Sequence, residues 1–164
     1  MPLGLQAFTL FHVILSLAGI LAGFVVALGL LTGNRLDGWT AVFLATTVLT
    51  SLTGYLFPFH KLLPSHILGV LSLIALGFAI YARYQRHMEG GWRRSYVISS
   101  VIALYFNVFV LVVQLYEKVP ALRAIAPTQS ETPFKITQLT VLVFFIVVGV
   151  LSTVRFREEG LRTA

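Results

Sequence analysis

The sequence predicts an all-α integral membrane protein built as a bundle of five transmembrane helices. Hydrophobic residues make up 57% of the 164 residues and charged residues only 11%, and the mean hydropathy is +0.89. Soluble domains are much less apolar. Apolar runs of membrane-crossing length alternate with short segments of turn residues and charges. We therefore expect the lipid bilayer as the main environment and one transmembrane domain over residues 1–164.

The apolar runs define five spans, separated by residues that end helices. Gly, Asn and Asp within residues 32–38 end the first span, and Pro58 and Pro64 separate the second from the third. The first span lacks the basic start and the cleavage site of a secretory signal, so we interpret it as a retained helix. The expected spans are residues 5–31, 39–57, 64–84, 95–117 and 134–156.

The longest connection covers residues 118–133 and contains a short apolar segment between two prolines. Its Val119, Leu122 and Ile125 predict a brief helix lying in the membrane interface. The segment that follows, APTQSETP, is polar and irregular.

The distribution of basic residues predicts the orientation. The net charge is +6, and eight of the twelve Lys and Arg residues fall on one side of the five-span arrangement. The positive-inside rule makes that side cytoplasmic, with the N-terminus outside and the C-terminus inside. We expect the plasma (inner) membrane of a bacterium, where small multipass chains of this kind are common. The eight are Arg35, Arg83, Arg86, Arg93, Arg94, Arg155, Arg157 and Arg162, against Lys61, Lys118, Arg123 and Lys135.

The fourth span carries a polar line along an otherwise apolar helix. At about 100° per residue, Ser99, Asn107, Gln114 and Glu117 fall within roughly 80° of one another. An unpaired amide at bilayer depth costs several kcal/mol. This polar stripe must therefore face protein or a wet cavity, as interhelical hydrogen bonding or as part of a site.

The predicted orientation brings polar groups from several spans to the outer side. We expect a ligand site in which His12 is the proton-responsive or ligating group and Glu117 supplies a negative charge. Asn107 and Gln114 would orient the ligand, and Gln138 would close the site from the fifth span. The candidate ligand-binding residues are His12, His66, Asn107, Gln114, Glu117 and Gln138.

A bound metal or haem is the cofactor alternative. Three imidazoles suit zinc or copper, although their spacing matches no recognised ligand pattern. A single haem would need His12 and His66 at matching depths. The candidate metal ligands are His12, His60 and His66.

Small residues at helical spacing predict close helix packing. Gly19 and Gly23 form a GxxxG pair, which lets a neighbouring backbone approach closely. If that face were exposed, it would favour packing against a partner subunit or a second copy; burial within the chain would favour a ligand site. The full set of packing candidates is Gly19, Gly23, Thr46, Thr50, Gly77 and Gly149.

Several function classes find no support in the sequence. Without cysteine there is no disulfide, thiolate nucleophile or Cys-ligated metal. GxSxG, HExxH, GxxxxGK[ST] and GxGxxG are absent, and the single aspartate, Asp37, rules out a paired-aspartate intramembrane protease. No basic and aromatic pattern indicates nucleic acid. The balance is against an enzyme.

Three functions remain from different classes. The favoured one is a membrane protein with an outward-facing polar and histidine site for a small ligand or ion, such as a transporter or channel. The second is an accessory or structural subunit of a membrane complex. The third is a redox protein that holds a single haem or a quinone near the outer surface.

Overall fold

The computed structural model describes residues 3–57 and 64–156, and within these ranges all regular structure is helical, without a strand. This confirms that the fold is all-α, as predicted. A five-residue π-helix, Tyr81–Gln85, continues the third helix. The α-helices are α1 Leu3–Thr32, α2 Asp37–Gly54, α3 Pro64–Ile80, α4 Trp92–Lys118, α5 Pro120–Ile125 and α6 Thr132–Arg155.

Four of the described helices are long and apolar enough to cross a bilayer, which supports a helical membrane bundle. They are Gly4–Thr32, His66–Gln85, Trp92–Lys118 and Thr132–Arg155. The second predicted span corresponds to α2, which has only 18 residues and does not belong to this group. Five threonines and one serine make α2 less apolar than its neighbours.

The bundle is assembled around α4, which packs against α1, α3, α5 and α6. α1 lies along α2 and also contacts α6, while α2 contacts α3. The predicted short helix is α5, which begins at Pro120. α5 lies against the end of α4, where Leu122 packs beside Val112 and Tyr116.

One half of the bundle, which we call the packed half, holds the main hydrophobic core. It combines the C-terminal halves of α1, α3 and α6 with the N-terminal halves of α2 and α4. Phe43, Leu76, Tyr96, Leu104 and Phe156 are almost fully buried there. The opposite half of α1–α4 contributes few buried side chains, and we call it the open half.

Close helix contact in the packed half depends on Gly23. A Cβ atom at this position would lie 2.5 Å from Leu104 Cδ1 and 2.9 Å from Phe43 Cε2. Gly19 would meet the Thr46 hydroxyl oxygen at 3.0 Å, so the GxxxG face is buried inside the chain, against α2 and α4.

The other predicted packing residues have more open surroundings. A Cβ atom at Gly149 would make ordinary contact with Val101 at 3.6 Å. Gly77 is exposed, and its added Cβ would meet nothing within 4 Å among the described residues. Gly77 is therefore not a point of close helix packing among the described residues. Thr50 borders a cavity instead of a tight helix contact.

The surface is strongly apolar along the helices. On α6, Ile136, Leu139, Val143, Ile146 and Val150 are each more than half exposed. Burying such a surface in lipid removes its contact with water, at about 25 cal/mol per Å². The exposed apolar helices indicate a bilayer environment.

The connection from α3 to α4 is unusual. The π-helix is followed by His87 and Met88, whose φ angles are 47° and 59°, a left-handed conformation that costs about 1–2 kcal/mol per non-glycine residue. This turn places the Met88 side chain in the core at 1% exposure. The π-helix before this turn contains Arg83, whose side chain is buried in the packed half.

Candidate functional site

A cavity of about 480 Å³ lies in the open half, between α1, α2, α3 and α4. Pockets for small organic molecules typically occupy about 300–1,000 Å³. Apolar side chains form most of its wall, including Leu17, Leu68 and Phe106. Polar groups from all four helices interrupt that wall, and His12, Thr50, His66, Asn107 and Gln114 are among them.

Four of the six predicted ligand-binding residues border this single cavity. His12 comes from α1, His66 from α3, and Asn107 and Gln114 from α4. The three helices are separate segments of the chain, so the meeting of these residues depends on the helix packing. That they bind a ligand remains a prediction.

His12 is held in a defined orientation. Its Nδ1 lies 2.8 Å from Thr53 Oγ1 on α2, and its ring meets Phe57 edge-on with centroids 5.1 Å apart. The hydroxyl of Thr53 donates its proton to the backbone carbonyl of Leu49 at 2.7 Å. When the Thr53 hydroxyl donates to its own helix, His12 Nδ1 is the donor in the contact between them, which requires the Nδ1–H tautomer.

This hydrogen bond defines the chemistry that His12 can offer. With the proton on Nδ1, the neutral ring keeps its lone pair on Nε2. Nε2 can then accept a hydrogen bond, bind a metal or take up a proton. The α1–α2 contact thus presents one reactive nitrogen of His12 to a ligand.

His66 borders the same cavity from the start of α3 and is buried, at 8% exposure. The Tyr55 hydroxyl donates to the His66 backbone carbonyl at 2.6 Å, and the two rings lie 5.7 Å apart. Tyr55 can occupy this place because the neighbouring residue on α3 is Gly69, where a Cβ would lie 2.8 Å from the hydroxyl oxygen. Tyr55 therefore fastens α2 to α3 beside the cavity.

The amide of Asn107 links α4 to α2. Its Nδ2 donates to Thr47 Oγ1 at 3.2 Å, which explains part of the polar stripe as interhelical hydrogen bonding. Thr50, one turn further along α2, borders the cavity, and its buried hydroxyl has no hydrogen-bond partner in the described structure. A buried hydroxyl without a partner is costly unless water or a ligand completes it.

Glu117 and Gln138 do not border the cavity. Glu117 is exposed at the end of α4. Lys118, the next residue, does border the cavity and lies about 20° from Asn107 at about 100° per residue. Gln138 is buried between α6 and α4, where its Nε2 donates to the Phe109 carbonyl at 3.2 Å and its Oε1 lacks a partner among the described residues. α6 contributes nothing to the described cavity wall.

Only two of the three predicted metal ligands, His12 and His66, lie among the described residues. His60 lies outside the described residues. Within residues 3–57 and 64–156, no group of three His, Asp, Glu or Cys side chains could hold a metal ion. His12 and His66 remain as two imidazoles at one cavity.

The sequence interpretation missed several cavity residues. Lys118, Ser72 and Tyr55 border the cavity, and Thr53 orients His12 from beside it. The helical angle of Lys118 relative to Asn107 was a usable signal. Tyr55 and Ser72 could be found only once the α2–α3 contact was known, because neither lies on a polar face of its own helix.

A second polar cluster lies in the packed half, away from the cavity. Arg83 is 2% exposed and donates to the Asp37 carboxylate at the start of α2. Its guanidinium carbon also lies 5.1 Å from the ring centre of Tyr96, whose hydroxyl is 3.3 Å from Thr40 Oγ1. The sequence indicated Arg83 only as one of the basic residues of the cytoplasmic side, whereas its side chain is buried inside the bundle.

Comparisons with known proteins give no relative from which a role could be transferred. No family model matches the chain, and neither a curated protein nor a solved structure does so.

Proposed function

We propose that this protein binds a small polar ligand or ion in the cavity of the open half, as a transporter or channel would. The observation that carries the proposal is that four helices each bring a polar side chain to one cavity: His12, Thr50, His66 and Asn107. A lipid-facing bundle has no need for such groups at this depth, because each must find a partner. The unpartnered hydroxyl of Thr50 supports a cavity that is filled by water or ligand.

The buried GxxxG face favours this function over an accessory subunit. Gly19 and Gly23 pack against α2 and α4 of the same chain. This face is therefore already covered and cannot serve as a docking face for a partner helix. Self-association through other faces stays compatible with a ligand site.

We further propose that α2 crosses the membrane as the second of five spans. Its 18 residues measure about 27 Å at 1.5 Å per residue, close to the hydrocarbon thickness of about 30 Å. Val42, Leu49 and Leu52 are between 45% and 49% exposed and give α2 an apolar outer face. With the excess of basic residues at the end of the packed half, the positive-inside rule places the cavity toward the outside.

The absence of cysteine from the sequence provides a direct test of this cavity. Ser16 borders the cavity, whereas Leu21 on the same helix is 67% exposed on the apolar surface. A charged, membrane-impermeant methanethiosulfonate should modify Ser16→Cys from the outer face only. Leu21→Cys should stay unmodified, because a thiol in lipid does not ionise and the thiolate is the nucleophile.

Two outcomes would contradict the proposal. If Ser16→Cys and Leu21→Cys react equally slowly from both faces, the cavity holds no water and cannot admit a polar ligand. If Ser16→Cys reacts only from the inner face, the orientation is inverted. A parallel measurement of the melting temperature of each variant in detergent checks that the fold is retained.

A redox function is the second candidate, because His12 and His66 border the same cavity and His12 keeps Nε2 available. Two imidazoles are the axial ligands of a b-type haem. A visible spectrum of the detergent-purified protein, oxidised and then reduced with dithionite, tests this. A Soret band that is lost in His12→Ala would assign the protein to this class, and a colourless sample would exclude haem.

A further inference from the structure

We infer that the cavity selects a small organic anion, a ligand with acceptor oxygens on an apolar body. This rests on the proposed function and adds the chemical class of the ligand. All titratable side chains that the structure places at the cavity are bases or phenols: His12, His66, Lys118 and Tyr55. No carboxylate of the described residues borders it.

The acidic residues of the chain are few, and the structure accounts for those near the open half. There are six Asp and Glu residues in total. Asp37 at the start of α2 and Glu89 in the connection from α3 to α4 belong to the end of the packed half, and Glu158 and Glu159 follow the described residues. Of the described acidic residues, only Glu117 and Glu131 belong to the other end.

Neither of these two carboxylates borders the cavity. Glu117 is exposed at the end of α4 and is absent from the cavity wall. The Glu131 carboxylate accepts hydrogen bonds from the Thr128 hydroxyl at 2.8 Å and from the Ser130 backbone N–H at 3.1 Å. Lys118 therefore brings a positive charge to the cavity, and it forms no ion pair with a carboxylate of the described residues.

The neutral groups of the cavity can complete an anion site. Thr50 has a hydroxyl without a partner in the described structure, and Gln114 offers an amide. His12 Nε2 becomes a donor when the ring is protonated, so a bound anion and a proton would stabilise each other. Donors to anionic oxygens form the stronger, charge-assisted hydrogen bonds.

The size and wall of the cavity favour an organic anion over an inorganic ion. A volume of about 480 Å³ exceeds what a single hydrated ion needs and fits a small organic molecule. The apolar part of the wall can contact the hydrocarbon portion of a ligand, and it includes Leu17, Leu68, Phe106 and Leu111. The donors then fix one polar end of the ligand.

Protection of Ser16→Cys from a neutral maleimide, N-ethylmaleimide, measures occupancy of the cavity directly. The purified variant is alkylated at constant ionic strength with two matched series: benzoate, benzamide and benzylammonium; hexanoate, hexanamide and hexylammonium. We expect the carboxylates to protect at concentrations at least about tenfold lower than the amides, and the ammonium compounds to protect least. Sodium sulfate should protect less than either carboxylate.

Lys118→Gln should bring the carboxylates to the level of the amides while protection by the amides is unchanged. The matched control is Lys135→Gln, which removes an exposed cation of the same end that does not border the cavity. The control should keep the tenfold preference.

The outcomes distinguish a wrong ligand class from a wrong binding site. Amide or ammonium compounds that protect as well as carboxylates would overturn the anion selectivity and leave the cavity site intact. Sulfate that protects as well as the carboxylates would overturn the organic class. If no compound protects the thiol of the Ser16→Cys variant, or if that thiol does not react at all, the proposed binding site itself is overturned. Loss of preference in Lys135→Gln as well as Lys118→Gln would overturn the role given to Lys118.

Discussion

His12 and Thr53 are joined by a hydrogen bond of 2.8 Å between Nδ1 and Oγ1, although 41 residues separate them in the chain. With its hydroxyl proton directed to the Leu49 carbonyl, Thr53 accepts a hydrogen bond from the imidazole. One side chain of α2 therefore decides which nitrogen of His12 is free. The proton-binding and ligand-binding properties of α1 depend on its contact with α2.

Thr53→Val should release the His12 ring with little change in shape. We expect a loss of about 1 kcal/mol in the free energy of unfolding, the usual value of an interhelical hydrogen bond. The ¹⁵N shifts of the ring should move from the Nδ1–H form toward a mixture of tautomers. Thr46→Val is the matched control, since the Thr46 hydroxyl donates to its own helix at Val42. An unchanged tautomer in Thr53→Val would contradict the assignment.

Asp37→Asn should destabilise the packed half, because Arg83 would keep a buried charge without a carboxylate. Breaking a fully buried pair costs about 3–5 kcal/mol. Asp37 is 66% exposed, so solvent reduces this, and we expect about 2 kcal/mol in denaturant unfolding. Arg35→Gln removes the other, more exposed cation beside Asp37 and should cost under about 1 kcal/mol. Equal losses in both variants would show that burial of Arg83 adds nothing.

Gly23→Ala should be destabilising and Gly77→Ala should not, although both place alanine in an apolar helix. The Cβ at position 23 would overlap Leu104 and Phe43, and overpacking typically costs about 1–3 kcal/mol. The Cβ at position 77 would enter open space. There the higher helix propensity of alanine should raise stability by up to about 1 kcal/mol. Melting temperatures of the two variants in the same detergent make the comparison.

Helical periodicity predicted which residues share a face, and the structure shows where that information ends. Asn107 and Gln114 were placed on one face of α4, and both border the cavity. The centre of that face was misjudged by enough to include Glu117 and omit Lys118. An angular window of about 80° cannot decide which edge faces a neighbouring helix, because the neighbours set the rotation.

Contacts between helices could not be read from the sequence. Gln138 and Gln114 are both glutamines near the predicted outer ends of their spans, so the sequence does not distinguish them. The difference arises because α6 packs on the side of α4 away from the cavity, against Phe109. Arg83 is a similar case, since it lies in the π-helix after α3 and pairs with Asp37 at the start of α2. Sequence reasoning thus found the polar residues but could not assign their partners.

Glu131 should titrate below its ordinary range, because the Thr128 hydroxyl and backbone N–H groups lower the pKa of its carboxyl. Because this pKa is lower in the folded state than in the unfolded chain, the carboxylate stabilises the fold at pH values above its unfolded pKa. That stabilisation is lost as the pH falls through the folded pKa. Thr128→Val should raise the pKa of Glu131 back toward 4.5. Carboxyl ¹³C shifts followed against pH measure this. No change in Thr128→Val would mean that the backbone donors alone hold the carboxylate.

Gln114→Leu should weaken ligand binding and Gln138→Leu should not, since the Gln114 amide borders the cavity and the Gln138 amide lies between α4 and α6. In Gln114→Leu the cavity loses a polar group, so protection of Ser16→Cys by benzoate should weaken by about three- to tenfold. In Gln138→Leu an apolar side chain replaces an amide whose Oε1 has no partner among the described residues, and the Phe109 carbonyl keeps the hydrogen bond of its own helix, so we expect little loss of stability. Protection by benzoate should then stay at its original level. Weaker protection in Gln138→Leu at unchanged melting temperature would show that α6 contributes to the site, as the polar pattern of the sequence first indicated.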